Sequence, residues 1–227
     1  MSAGLGAIPF FRGADKALLK RFDARAKPAN YEAGQIVVDF DEVSDDVFFL
    51  LTGGVCVVVR APSGKETILG DIVAGAFVGE MSAIDARPRS ACVTALHRTR
   101  LIRLRGADFM ALTTASPVLA ARLLRVLSVR VRALNERLLE HSSLGVRGRL
   151  YAELLRQARP RADGGPPVIS PPPVQHVLAA RIGARREAVS REIARLVRAG
   201  ILVRARGTLS IVRADTLRAA IATELGA

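Results

Sequence analysis

Cysteine and histidine are scarce in this chain. Its 227 residues include two cysteines, Cys56 and Cys92, and three histidines, His97, His141 and His176. Two thiols are too few for a four-cysteine iron–sulfur cluster, and they are too far apart for a Cys-x-x-Cys site. The histidines are scattered without metal-ligand spacing. The sequence therefore indicates no metal site, and because both cysteines lie in apolar runs, we expect them to be buried core residues.

Long apolar runs are also missing. Half of the residues are hydrophobic and 24% are charged, a globular composition. No apolar run approaches the roughly 18 to 20 residues that a membrane span needs. The first residues, MSAGLGAIPFFRGADK, lack the basic start and apolar segment of a signal peptide, so we expect a cytoplasmic protein. The length of the chain is sufficient for two domains, each with its own core, so we expect two domains.

Acidic residues are few in the C-terminal third. Residues 142–227 have 15 arginines against six acidic residues, a surplus of nine, whereas residues 1–141 have a surplus of only four. A basic surplus confined to one segment indicates a polyanionic partner, which can be DNA, RNA or an acidic membrane surface. The alternative is general arginine enrichment on solvated faces.

Short apolar runs separated by Gly, Asp and Pro follow one another between Tyr31 and Leu104. Runs such as QIVVDF, SACVTAL and RTRLIRL have the length and the β-branched content of strands. GG at 53–54 and PSGK at 62–65 are turn signals. The pattern predicts a small, mostly antiparallel β-roll or barrel, and residues 9–27 before it are predicted to be helical.

A long helix is predicted from Ser116 and Pro117, a hydroxyl N-cap followed by proline, to about His141. It has two apolar stripes. One is a heptad seam of Leu124, Leu127, Val131, Leu134, Leu138 and His141; the other contains Leu119, Leu123, Val126 and Ala133. One stripe can pack on its own domain and the other on a second copy of the helix, so we expect a homodimer. The alternative is one helix buried between two domains.

The segment after this helix has the pattern of a winged helix-turn-helix. SSLG at 142–145 is the predicted hinge, and another helix and a Pro- and Gly-rich loop follow. Residues 174–183 form a short amphipathic helix, and a longer helix then ends at Gly200. ILVRARGTLSIVR at 201–213 is predicted as two strands, a wing whose arginines reach phosphates.

The second of these helices is the predicted DNA-reading element. Its inward face contains Val189, Ile193, Leu196 and Val197, and its outward face near the N-terminus contains Arg186, Glu187, Ser190 and Arg191. Arginine can donate two hydrogen bonds to guanine, and a carboxylate can accept one from cytosine, which favours a half-site with G·C pairs. The alternative is a salt bridge between Glu187 and Arg191 on a solvated face.

Residues 77–95, FVGEMSAIDARPRSACVTA, combine one carboxylate, one guanidinium and small residues in an order that suits a cyclic nucleotide. Gly79 allows close backbone approach, and a short helix begins near Glu80. Arg89 can pair with the single charge of a 3′,5′-cyclic phosphate, with Ser90 as a further donor. Glu80 can accept from the ribose 2′-hydroxyl. The alternative is a surface turn with an incidental salt bridge between Glu80 and Arg89.

These motifs resemble the cyclic AMP receptor protein and FNR (CRP/FNR) family of bacterial transcription regulators over nearly the whole chain. GEMSAIDARPRSACV is similar to the family's phosphate-binding cassette, ARREAVSRE to its recognition helix, and LGVRGRL at 144–150 to the start of its DNA-binding domain. The resemblance implies ligand contacts by Gly79, Glu80, Met81, Arg89, Ser90, Arg130, Leu134 and Asn135. It also implies DNA contacts by Arg185, Arg186, Glu187, Ser190 and Arg191.

The chain departs from the family at several positions. Arg185 stands where a serine usually caps the recognition helix, which costs about 1 kcal/mol unless Arg185 contacts a phosphate. Ala188 replaces a threonine, and Leu134 and Asn135 replace the Thr and Ser that face the purine. The four-cysteine cluster of the FNR branch is absent, which excludes its oxygen chemistry.

The sequence thus predicts an α+β protein with a cyclic-nucleotide-binding β-roll at 1–115, a dimerisation helix at 116–141, a hinge at 142–145 and a winged helix-turn-helix at 146–227. The predicted function is that of a cyclic-nucleotide-responsive regulator, most simply with cAMP as effector, that binds palindromic operators and has RNA polymerase as partner. The alternative is the same fold with cGMP, another effector or none. Since no domain or nucleophile-base pair is left to host chemistry, an enzyme is not expected.

Overall fold

The computed structural model describes residues 4–61, 64 and 66–226. They form two compact units, one ending at Arg130 and one beginning at Val131, so one long helix contributes to both. Pro62, Ser63 and Lys65 of the predicted PSGK turn lie outside the described residues.

The N-terminal unit is built on antiparallel strands. They are β1 Lys27–Tyr31, β2 Ile36–Val38, β3 Val47–Thr52, β4 Gly54–Arg60, β5 Glu66–Val73, β6 Phe77–Val78, β7 Cys92–Ala95 and β8 Thr99–Leu104. The strands form two four-stranded sheets, ordered β1-β8-β3-β6 and β2-β7-β4-β5, and every described pair is antiparallel. The prediction of an N-terminal β-domain is confirmed.

An aromatic core supports the strand that leads to the candidate ligand site. The ring of Phe77 in β6 lies 5.6 Å from that of Phe49 in β3 and 4.9 Å from that of Phe10. Each of these side chains is at most 4% exposed. Buried aromatic rings contribute large apolar areas, so they hold the end of β6, and with it Gly79, in a fixed place.

The helix predicted at residues 9–27 is shorter in the structure. Helix α1 spans Lys16–Asp23, and Pro9–Phe11 forms a separate 3-10 turn. The carboxylate of Asp15 caps the N-terminus of α1 by accepting hydrogen bonds from two first-turn amides, so the helix begins at Lys16. Strand β1 follows α1 closely and tolerates Pro28 because it is an edge strand. Two further helices complete this part, α2 at Glu80–Asp85 and α3 at Gly106–Ala115.

The long helix α4 spans Pro117–Ser143, slightly more than predicted. Leu119 and Leu123 are buried in the N-terminal core, as the second apolar stripe predicts. Leu127 also packs partly against that core, whereas Ala133 is exposed. The seam residues Leu124, Val131, Leu134 and Leu138 are 65%, 54%, 51% and 68% exposed. Within the described chain, α4 therefore presents an exposed apolar face.

No single helix among the described residues is long and apolar enough to cross a bilayer. Helices α3 and α4 meet the length and composition only as a pair, bent by 114° at their junction. The apolar residues Phe109 and Leu112 of α3 are fully buried in the core, as is Leu119 of α4.

The hinge predicted at 142–145 is shorter in the structure. Its first half belongs to α4, and Leu144 and Gly145 separate α4 from α5, which spans Val146–Gln157. Leu144 is buried, so the connection is a packed turn rather than an exposed linker.

The C-terminal unit contains the predicted helix-turn-helix and wing. Its remaining elements are β9 Val168–Ile169, α6 Gln175–Ile182, α7 Arg186–Arg198, β10 Leu202–Ala205, β11 Thr208–Ile211 and α8 Ala214–Leu225. The sheet order is β10-β11-β9, with antiparallel pairs. Leu178 of α6, Leu196 of α7 and Leu202 of β10 are fully buried in one apolar core, which fixes α7 on the unit. Helix α8 was not predicted.

Candidate ligand site and nucleic-acid interface

Gly79 joins strand β6 to helix α2 with a left-handed backbone, φ 87°. A Cβ atom added there would lie 2.5 Å from the carbonyl oxygen of Asp46 and 2.9 Å from Nη1 of Arg89. Both the conformation and the crowding require glycine. The predicted short helix after it is present as α2, Glu80–Asp85.

The Arg89 guanidinium is packed inside the unit, with Arg89 only 3% exposed. Nε donates to the Ser44 hydroxyl at 2.8 Å, Nη1 to the Gly79 carbonyl at 2.9 Å and Nη2 to the Asp46 carbonyl at 2.8 Å. Burial lowers the pKa of Arg89, while the neighbouring carboxylates, led by that of Glu42, oppose the shift. An arginine remains charged under these conditions, so the cassette contains a buried cation.

Glu80, the first residue of α2, is 4% exposed and is paired with a residue of the long helix. Nη1 of Arg130 donates to Glu80 Oε1, and Nη2 of Arg130 donates to the carbonyl oxygen of Phe77 at 2.6 Å. The guanidinium also lies over the Phe77 ring, 5.1 Å from its centroid. Glu80 and Arg130 therefore connect the cassette directly to α4.

Met81 and Ser90 form the rim of the cassette. Met81 is 50% exposed, Ser90 is also exposed, and the Ser90 hydroxyl lies 3.5 Å from the Met81 sulfur. The structure thus brings together six of the predicted ligand residues: Gly79, Glu80, Met81, Arg89, Ser90 and Arg130. Leu134 and Asn135 are exposed residues of α4 in the other unit.

The loop that holds Arg89 was not predicted from the sequence. Ser44 and the Asp46 carbonyl both accept from the guanidinium, and backbone hydrogen bonds from Asp41 N to Arg89 O (3.0 Å) and from Arg89 N to Glu42 O (3.1 Å) join the same segments. No spacing signal links this loop to a residue more than forty positions later.

The predicted DNA-reading residues share one surface. Arg185, Arg186, Glu187 and Arg191 are exposed and Ser190 is half-buried, while Val189, Ile193 and Leu196 are buried beneath them. All of these exposed residues except Arg185 line a groove of about 320 Å³ together with Ser190 and Gln175. Gln175 begins α6 and was missed, although its place at the start of an amphipathic helix was visible in the sequence.

Backbone turns around α7 follow the glycine positions. Gly183 ends α6 at φ 64° and Gly207 turns the wing at φ 76°; both values are left-handed. Arg185 occupies the N-cap of α7 without a side-chain capping hydrogen bond, as its identity predicts. Arg204 and Arg206 of the wing are exposed. The wing therefore adds two exposed arginines to those near the start of α7.

The described residues, 4–61, 64 and 66–226, contain no group of three or more His, Cys, Asp or Glu side chains that could hold a metal ion. Cys56 is buried as predicted, but Cys92 is only half-buried. The core prediction is wrong for Cys92 because β7 alternates, and Val93 and Ala95 take its buried face.

Comparisons with known proteins agree with this division of the chain. Residues 28–116 match the cyclic nucleotide-binding domain family, and residues 148–220 match the Crp-like helix-turn-helix domain family. The chain is 26% identical over 192 residues to a CRP-like cAMP-activated global transcriptional regulator of Mycobacterium tuberculosis, covering 84% of this chain and 86% of the relative. It is 29% identical over 187 residues to the cyclic AMP receptor protein of Thermus thermophilus, covering 82% and 84%.

A solved structure shares the fold at lower identity. The c-di-GMP responsive global regulator CLP of Xanthomonas campestris has a TM-score of 0.74 at 19% identity, covering 87% of this chain and 99% of that chain. The cassette lies inside the first matched segment and α6 and α7 inside the second. The chain therefore belongs to the CRP/FNR family, as a transcription regulator with a cyclic nucleotide-binding domain and a DNA-binding helix-turn-helix domain.

Proposed function

We propose that this regulator binds cAMP at the cassette, acts as a homodimer in the cytoplasm and reads palindromic operators with α7. The observation that carries the proposal is the pair of buried, opposite charges at the cassette. Glu80 and Arg89 are 4% and 3% exposed; Glu80 directly follows the required Gly79, and Arg89 donates a hydrogen bond to the Gly79 carbonyl. A carboxylate for a sugar hydroxyl and a guanidinium for a phosphate match the two polar parts of a cyclic nucleotide.

The phosphate would compete for Arg89 with groups of the protein. Three of the five guanidinium N–H groups already donate to neutral oxygens of Ser44, Gly79 and Asp46. Exchanging a neutral acceptor for an anionic one strengthens the hydrogen bond, because charge-assisted bonds are roughly twice as strong. Ligand binding would then loosen the loop around Ser44 while it fixes the cassette.

The ribose would connect the ligand to the long helix. Glu80 already accepts from Arg130 of α4, and its carboxylate has lone pairs left for the 2′-hydroxyl. A ligand held by Glu80 therefore acts on the same ion pair that anchors α4. This supports an effect of the ligand on the geometry of the helix.

The choice of cAMP is supported by two relatives, the cAMP-activated regulator of M. tuberculosis and the cyclic AMP receptor protein of T. thermophilus. Asn135, the proposed purine contact together with Leu134, carries both donor and acceptor groups and suits adenine or guanine edges. A second candidate effector is c-di-GMP, to which the structural neighbour CLP responds. A cyclic dinucleotide has two phosphates and would need two cationic partners. Of the two arginines of the cassette, Arg89 is buried and Arg87 is exposed. One buried guanidinium favours a mononucleotide with one phosphate.

The exposed seam of α4 supports the homodimer. Leu124, Val131, Leu134 and Leu138 recur at heptad spacing and are each at least half exposed in the single chain. Pairing two such helices would bury the seam and present two α7 helices to half-sites about 34 Å apart. The ligand would act by favouring that arrangement, and DNA would raise ligand affinity by the same factor. RNA polymerase would be the partner at the promoter.

The function is tested by titrating operator DNA with and without cAMP at fixed salt, using an operator selected from random sequences. We expect cAMP to increase operator affinity by roughly 5- to 150-fold, the usual range of allosteric coupling. Calorimetry with cAMP and cGMP identifies the effector. Equal operator affinity with and without cAMP, together with no heat of cAMP binding, would refute the proposal.

Base reading by α7 is tested with Arg186→Ala and Glu187→Ala. Each variant should lose about 1 to 3 kcal/mol of discrimination at a single base pair, because one specific contact to a base edge is removed. Binding is measured on the operator and on its single-pair variants. Arg204→Ala in the wing is the matched control and should weaken binding to all sequences alike. Equal loss on every sequence for Arg186→Ala would assign that residue to the phosphates instead.

A further inference from the structure

Recognition helix α7 carries a buried carboxylate on its inward side. Glu192 is 6% exposed and lies among the apolar residues that dock the helix, Val189, Ile193 and Leu196. Burying a charged group is costly unless it is paired and hydrogen-bonded. Its place in the apolar face therefore requires a physical account.

The partners of Glu192 come from two helices. The Tyr151 hydroxyl of α5 donates to Glu192 Oε1, and Arg147 of α5 places Nε 3.3 Å from Oε2. Arg195 of α7 donates from Nη2 at 2.7 Å and from Nε at 3.0 Å to Oε1. Nη2 of Arg195 also donates to the Tyr151 oxygen at 2.8 Å, which closes the network.

The protonation states fit this network. Burial raises the pKa of Glu192, but the hydrogen bonds from Arg195 and Tyr151 outweigh it and leave the pKa below its usual value. The pKa of Tyr151 is raised, mainly by burial and then by its hydrogen bond to Glu192. Glu192 is therefore ionised near neutral pH, and Tyr151 keeps the proton that it donates.

We infer that Glu192 and Tyr151 are positioning residues for base reading, because they fix the rotation of α7 about its own axis. The inference rests on the proposed reading of bases by Arg186 and Glu187. Apolar packing holds α7 on the unit, but because it is non-directional it tolerates small rotations of the helix, whereas hydrogen bonds weaken away from their preferred angle. The hydrogen bond from Tyr151 of α5 to Glu192 therefore defines the rotational orientation of α7.

A small rotation is enough to matter. A helix with its side chains has a diameter of about 10 to 12 Å, so a turn of about 20° moves the outer side-chain atoms by roughly 2 Å. Hydrogen bonds to base edges form only at about 2.7 to 3.2 Å. The guanidinium of Arg186 would lose its alignment with a guanine, while longer-range attraction to phosphates would persist.

Stability alone does not account for the network. A buried ion pair replaced by apolar groups of similar volume is often as stable or more stable. Arg147 and Arg195 are 70% and 44% exposed at their side chains, so water can solvate them once Glu192 is removed. A role in stability and a role in positioning therefore predict different results for an apolar replacement.

The test uses the double variant Tyr151→Phe/Glu192→Met, which removes both polar partners at nearly constant volume. Asp215→Asn is the matched control, since it removes one carboxylate from an exposed ion pair of the same unit. Wild type first selects an operator from random DNA. Affinities are then measured for that operator, for the operator with the G·C pair facing Arg186 changed, and for random-sequence DNA, alongside the Tm.

We expect the double variant to lose about tenfold in discrimination between the two operators while its affinity for random DNA changes less than about twofold. Its Tm should be equal to or above that of wild type. Glu192→Gln keeps an acceptor for Tyr151 and should retain part of the discrimination.

Two results would overturn the inference while base reading stands. One is undiminished discrimination by the double variant. The other is a fall in discrimination no larger than the fall in affinity for random DNA, accompanied by a lower Tm, which would be a loss of folded protein. If wild type selects no sequence at all, base reading itself fails and the inference falls with it.

Discussion

Replacing Arg89 with alanine is expected to weaken cAMP binding by about a hundredfold or more. Hydrogen bonds to charged groups contribute about 1.5 to 3 kcal/mol each, and two bonds to the cyclic phosphate exceed a hundredfold in affinity. The buried position of Arg89 strengthens the interaction further, because solvent screens it less. Calorimetry of cAMP binding measures the loss directly, and operator binding should no longer respond to cAMP.

Two controls separate this effect from damage to the fold. Arg89 also holds Ser44 and the Asp46 carbonyl, so its removal releases the loop as well. Ser44→Ala removes one of these protein partners and leaves the guanidinium in place, so cAMP affinity should stay equal or increase. Arg87→Ala changes an exposed arginine of the same segment and should have little effect. Folded Arg89→Ala that binds cAMP within about threefold of wild type would contradict the proposed phosphate role.

The cassette was largely predictable because its parts are close in sequence. The spacing of Gly79, Glu80 and Arg89 determines a turn, a short helix and a returning strand, and the structure contains all three. Ser44 and Asp46 could not be predicted in the same way. They reach Arg89 only because β3 pairs with β6, Phe48 opposite Val78, and that register depends on the folded core.

The recognition helix shows the same limit in another form. Its apolar spacing predicts the buried face, and Val189, Ile193 and Leu196 are buried accordingly. The pattern assigns charged residues to solvent, so it gives no role to Glu192, which shares that face. Only the position of Tyr151 on α5 explains how a carboxylate remains there.

Helix ends were the least predictable feature. Helix α4 extends to Ser143 and includes Ser142 and Ser143, which the sequence predicted as part of the hinge. Serine has moderate helix propensity, and tertiary packing of the buried Leu144 next to them outweighs it. The length of the N-terminal helix was overestimated because Asp15 was not recognised as the residue that caps its start.

Changing Leu124 and Leu138 to glutamate is expected to abolish the homodimer. These two seam residues are 65% and 68% exposed in the single chain and lie on one face of α4 by heptad spacing. Four carboxylates in a paired seam would have to be buried or would repel one another. Sedimentation should show a monomer at concentrations where wild type is a dimer. Operator affinity should fall by about a hundredfold or more, because two linked half-site contacts become one.

Val129→Glu is the control for this change. Val129 is 61% exposed but lies on the opposite side of α4 from the seam, so the variant should remain dimeric and keep its operator affinity. Affinity for a single half-site should be similar for all three proteins, since α7 is not altered. A dimeric Leu124→Glu/Leu138→Glu variant would exclude the seam as the interface. A monomer with undiminished operator affinity would instead show that one α7 is sufficient for binding.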